Sequence, residues 1–128
     1  MKELIHFLNY CATNPNASII FRRSDMILTL NSDVAYLNAP RAQSRAGSYH
    51  YLGNRDGKLF NGPIFISLKV IKAVMSATSE AECGVLFIDT QKAVPAKITL
   101  EELKWKQPPT PMRTDNNTAS GIMNNTVN

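Results

Sequence analysis

Four acidic residues stand where carboxylates could meet: Asp33 in "LNSDVAYL", Glu80 and Glu82 in "SATSEAECGVL", and Asp115 in "MRTDNNTASGI". A carboxylate is a hard oxygen donor, and magnesium takes a few such groups while keeping several waters. Two divalent ions about 4 Å apart can activate a water and stabilise a leaving oxygen in phosphodiester cleavage. For these residues to act together, separate segments must end at one place. Taken singly, a carboxylate at a strand end or a helix start reads as a cap or a surface group.

The segments that must position them are legible in outline. "KELIHFLNYCAT" sets Leu4, Phe7, Leu8 and Cys11 at helical spacing, and "NPNA" stops the helix. "SIIF" and "MILTLNSDVAYL" are rich in strand-forming residues, and in the second Ile27, Thr29 and Asn31 alternate with Leu28, Leu30 and Ser32. "NAPRAQSRAG" reads as a loop, "SYHYLG" as a strand ending in a turn at "GNRDG", and "GPIFISLKVI" as a third strand. A helix follows, capped by Ser76 or Thr78, with acidic residues in its first turn where the helix dipole favours them. "TLEELKW" reads as a second short helix capped by Thr99, "MRTD" as a short strand, and "NNTASGIMNN" as a partial helix capped by an asparagine. Three hairpin-connected strands, then helix and strand, predict an α+β or mixed-sheet domain.

The 128 residues suit one domain, and 44% hydrophobic with 19% charged residues is the composition of a globular protein. The net charge of +4 permits a nucleic-acid partner without requiring one, because the basic residues are scattered. Their nearest approach to a cluster is Arg22, Arg23, Arg41, Arg45, Arg55 and Lys58. Cys11 and Cys83 make no disulfide framework and no zinc spacing, so both read as buried free thiols. No run approaches the ~18 apolar residues of a membrane span, and the first residues lack a secretory pattern. The expectation is an intracellular protein, cytoplasmic or nuclear, with no membrane partner.

In order along the chain, "SDVAYL", "SRAGSYHYLG", "SATSEAECGVL" and "TDNNTASGI" resemble the ribonuclease H region of copia-type retrotransposon polyproteins, downstream of the reverse transcriptase. Members carry "SDASYL"-like, "RSRAGG"-like, "SAAEAELGAL"-like and "TDNSTAxGI"-like segments. The opening "LNYCATNPNASIIFRRSDMILTLNSD" resembles the connection from the polymerase, and "LEELKWKQPPTPMRTDN" the stretch before the third acidic position. Each motif alone is loose; together they cover essentially the whole chain.

The resemblance implies a connection segment over residues 1–25 and a ribonuclease H-like mixed sheet flanked by helices over 26–128. It implies cleavage of RNA in RNA–DNA hybrids with Mg2+ or Mn2+, two ions if the site is complete. Asp33, Glu82 and Asp115 would be the catalytic and metal-holding residues, with Ser44, Arg45 and Asn116 candidates for phosphate or sugar contacts. Glu80 and Glu82 lie about 200° apart around a helix axis, so only one points into a site. Glu82 shares its face with Val85 and Leu86, the face expected to meet the sheet. The partners implied are an RNA–DNA hybrid and the rest of the polyprotein.

There are departures. Members use a fourth acidic residue on a helix beyond the third, and the chain ends at Asn128, so the domain reads as truncated at its C-terminus and prone to self-association through an exposed sheet edge. Val34 stands where a small residue is usual, and Cys83 where Leu or Tyr is common. The alternative reading is a catalytically inactive retroelement relic, at most a nucleic-acid or protein-binding module. His6 and His50 read as structural or exposed, Trp105 as packing against prolines. Tyr49, Tyr51 and Phe60 read first as sheet packing and second as a hybrid-binding surface.

Overall fold

The computed structural model describes residues 1–126. Helix α1 (Lys2–Thr13) is followed by strands β1 (Ile27–Ala39), β2 (Gln43–Gly53) and β3 (Pro63–Ile71). Helix α2 (Thr78–Glu102), strand β4 (Met112–Arg113) and helix α3 (Asn117–Met123) follow among the described residues. The sheet runs β3-β2-β1-β4, with antiparallel pairing across β1, β2 and β3 and parallel pairing of β4 with β1. This is a four-stranded mixed sheet with flanking helices, as the strand and helix order predicts. Among the described residues, no helix is long and apolar enough to cross a membrane.

Strand alternation decides which residues meet α2. Val34 and Ala46, paired across β1 and β2, pack with Ile71 and with Ala81 and Val85 of the helix. Leu28 and Leu30 pack with Ala93 and Leu100 further along it. The buried stripe of α2 is Ala81, Glu82, Val85, Leu86, Asp89, Ala93 and Leu100, at the spacing of one helical face. Full burial of a side chain such as Val85 is worth about 1.5–3 kcal/mol, so this stripe seats the helix.

That stripe carries two acids, and the sheet answers one of them with hydroxyls. The register places Ser32 opposite Ser48 and Ser48 opposite Ser67, a row of serines across three strands. Ser32 Oγ donates to Asp89 Oδ2 at 2.9 Å, and Lys92 Nζ bonds both Asp89 Oδ1, at 3.4 Å, and Ser67 Oγ. His50, 1% exposed, sits with Nε2 3.1 Å from Ser48 Oγ, and burial holds its pKa below the ordinary histidine value. Asp89 is therefore a buried carboxylate with both oxygens partnered, which is the condition for tolerating it there.

Several expectations need correction. The two helices predicted after Ser76 are one helix, α2, running through Pro95. Thr99 does not cap a helix; its hydroxyl bonds back to the Pro95 carbonyl at 3.0 Å inside α2. Ala77 is the N-cap, while Glu80 turns outward and accepts both the N–H and the hydroxyl of Ser76. The loop read into "NAPRAQSRAG" shrinks to a three-residue turn at Pro40–Ala42, because β1 and β2 extend toward each other past a bulge. "SIIF" forms no strand: the segment instead lies along the β2–β3 connection, where Asn61 Oδ1 accepts Arg22 N–H at 2.7 Å and Gly62 N–H bonds Ile20 O. A Cβ on Gly62 would come within 2.8 Å of the Phe21 ring, so glycine permits this close approach. Helix α1 buries none of its residues, and Cys11 is exposed rather than buried.

Candidate metal centre

Each of the three carboxylates arrives from a different element. Asp33 lies on β1, opposite Gly47 of β2. The parallel pairing of Leu30 with Met112 and of Asn31 with Arg113, continued by two residues, brings Asp115 level with Asp33. Strand β4 has already ended there, and α2 enters the open corner with Glu82 on its buried stripe. One carboxylate oxygen from each of Asp33, Glu82 and Asp115 lies within 4.8 Å of the others.

Their surroundings differ. Glu82 is 3% exposed, whereas Asp33 and Asp115 are exposed. Burial pushes the Glu82 carboxyl above its ordinary value, a hydrogen bond from Thr114 pulls it back, and the nearby charges of Asp115 and Asp33 push it up again. The donor is Thr114 Oγ1, 3.3 Å from Glu82 Oε2, and Thr114 Oγ1 in turn accepts Asn116 N–H at 3.2 Å. Glu80 points away from the cluster and its carboxyl is held low by the Ser76 hydrogen bonds.

The donor set fits a hard divalent cation. Three carboxylate oxygens gather at one point, one from a desolvated group whose charge is disfavoured by two like charges. A cation among them would reverse that repulsion. A recess of about 240 Å³ opens beside Asp33, bordered by Gly47, Tyr49 and Leu68.

The other candidate contacts separate. Arg45 is exposed opposite Ala35, on the same side of the sheet as Gly47 and Asp33 by strand alternation. Ser44 is a correction: it is fully buried on the other side, and its hydroxyl accepts the N–H of Leu37 at 3.1 Å where β1 bulges with φ of 52°. That leaves it no exposed atom for a phosphate. Asn116 uses its side-chain oxygen on α3, accepting Ala119 N–H at 2.9 Å, which leaves its Nδ2 uncommitted to the cap. Tyr51 is buried, and Tyr49 stacks on the half-exposed Phe60 at 4.9 Å, so these rings chiefly pack the sheet face opposite α2.

Sequence reasoning missed Thr114, Ser32, Asp89 and Lys92. For Asp89 a signal existed, since it follows Glu82 by two helical turns on the same face. Comparison with models of protein families, with curated proteins and with solved structures gives no match.

Proposed function

We propose that this chain is a ribonuclease H-like domain of a copia-type retrotransposon polyprotein that hydrolyses the RNA strand of RNA–DNA hybrids with divalent metal ions. The observation that carries the proposal is the meeting of Asp33, Glu82 and Asp115 within 4.8 Å from three separate elements. The ordered motif resemblance names the same three residues. The strand order, with β4 parallel to β1, is compatible with it.

On this reading Glu82 is the anchored member, fixed by burial and by Thr114. Asp33 and Asp115 face solvent and offer their oxygens where a phosphate can approach. Asp33, Glu82 and Asp115 would hold Mg2+ or Mn2+, which would supply an ionised water and charge neutralisation at the leaving 3′ oxygen. Arg45, on the Asp33 side of the sheet, meets backbone phosphates of the hybrid, whose shape rather than sequence is read. The recess beside Asp33 gives the scissile strand room to lie against β1 and β2.

The test is cleavage of a hybrid labelled separately on each strand, with Mg2+ or Mn2+ and with Asp115→Asn as control. RNA-strand products that require the metal and vanish in the variant support the reading. Uncut RNA under both metals, or equal cutting by the variant, rejects it.

A further inference from the structure

At the opposite end of β1 lies a second site of different chemistry. Two recesses, of about 590 and 340 Å³, meet at Trp105 and share Arg23 and Ser24. Arg23, Arg55 and Lys106 border the larger one, together with Asp25. The smaller is bordered by apolar side chains, Phe21, Met26 and Leu52 among them. The indole between them is 48% exposed.

The segments are tied through groups other than the cationic heads. Asp25 Oδ2 accepts Arg55 N–H at 3.0 Å, and Asn54 Oδ1 accepts Asp25 N–H at 3.1 Å. Gln107, 8% exposed, straps the turn after α2 to the start of β1. Its Oε1 accepts Leu28 N–H at 3.0 Å, and its Nε2 donates to the carbonyls of Met26, at 2.9 Å, and Trp105, at 3.2 Å. Trp105 N–H bonds Leu100 O at 2.9 Å. The backbone under the indole is thus fixed while its ring stays open. Among the described residues none of the three cations forms a salt bridge, and Asp25, the one carboxylate beside them, is engaged with the Arg55 backbone.

We propose that this is a subsite for single-stranded nucleic acid: one base stacks on Trp105 over the apolar recess, and the adjoining phosphates meet Arg23, Arg55 and Lys106. Aromatic stacking accepts any base, and clustered cations track the backbone. Ile27 borders the basic recess and Asp33 lies on the same strand, about 20 Å away at ~3.3 Å per residue. That is about six duplex base steps at ~3.4 Å each. The inference rests on the nucleic-acid reading above for its role, which is to hold a strand running beyond the hybrid.

Trp105 is the only tryptophan, so its fluorescence reports the site directly. The full chain is titrated with oligo-dT without divalent ions, and affinity is also read from the anisotropy of labelled oligo-dT. Saturable quenching is expected, with log K falling against log salt at a slope of about −2 for three phosphate contacts on a single strand. Replacing Arg23, Arg55 and Lys106 together by alanine should abolish that slope. Trp105→Ala should weaken binding about 5- to 150-fold, the range of base–aromatic stacking, and Trp105→Phe much less. Trp105→Ala should keep the parent's Mn2+ affinity in a calorimetric titration, which separates failure here from failure at the carboxylates. Absent quenching, a triple variant with the parent's salt slope, or equal quenching by poly-glutamate would each overturn the proposal.

Discussion

The hydroxyl of Thr114 donates to Oε2 of Glu82 across 3.3 Å, tying the residue before Asp115 to helix α2. Because Thr114 Oγ1 also accepts Asn116 N–H, one side chain fixes the turn after β4 and the anchored carboxylate together. Thr114→Val keeps the shape and removes the donor. Glu82 then loses the one contact that lowers its pKa. Outer contacts of this kind tune metal affinity by about 10- to 100-fold. Calorimetric titration with Mn2+ should show weakening toward the lower figure, with the pH needed for half-maximal binding moving up. Unchanged affinity and pH profile would show that the bond does not orient Glu82.

Glu82 also sets a stability trend with pH. Its folded pKa is raised, so the folded state holds its proton more tightly than the unfolded chain. Stability from this group is therefore present at low pH and is lost as pH rises from the ordinary carboxylate range through the raised folded value. Glu82→Gln removes the trend. Without metal at neutral pH, the variant should melt higher than the parent; with Mn2+ the parent alone should gain stability, as a ligand that binds only the folded state requires. A variant that melts lower without metal would show that the carboxylate is not under electrostatic penalty.

Asp89 answers to the opposite logic, because its partners are in place. Asp89→Ala leaves the Ser32 hydroxyl and the Lys92 ammonium without their shared acceptor. Breaking a buried pair in this way costs about 3–5 kcal/mol. Ser32→Ala removes one hydrogen bond and leaves Asp89 Oδ2 buried without a donor, so it should cost about 1–3 kcal/mol. Urea denaturation of both variants reads the difference; equal, small effects would mean that the serine row does not hold α2.

Ser44 should matter for stability and not for binding. Its hydroxyl is the acceptor for Leu37 N–H at the β1 bulge, so Ser44→Ala should cost about 1–3 kcal/mol through an unmet donor. Hybrid binding by the folded variant should equal the parent's. A binding defect without a stability loss would return Ser44 to the list of substrate contacts.

The parts that repeat locally were legible in the chain. Alternation in "MILTLNSDVAYL" gave β1, and the face shared by Glu82, Val85 and Leu86 put Glu82 rather than Glu80 inward, as found. Asn116 caps α3 as its residue type suggests. What stayed hidden depends on distant partners. Proline and threonine near residue 95 argue locally for a break, yet packing of Ala93 and Leu100 on Leu28 and Leu30 keeps α2 continuous. Ser44 sits in a motif that suggested the surface, while strand alternation sends it under the sheet to a neighbour formed by a bulge. Gln107 bonds Leu28 from 79 residues further along the chain, and nothing near either residue in sequence announces it.

If Asp33, Glu82 and Asp115 hold one divalent ion, as proposed, each carboxylate must contribute to its affinity. Mn2+ binding followed by electron paramagnetic resonance, in the parent and in Asp33→Asn, Glu82→Gln and Asp115→Asn, tests it most directly. Saturable binding in the parent that Mg2+ competes away is expected, with loss of affinity in each single variant, since each removes a charged oxygen donor from the same site. Binding that survives all three substitutions, or a parent that binds no Mn2+ while folded, would contradict it.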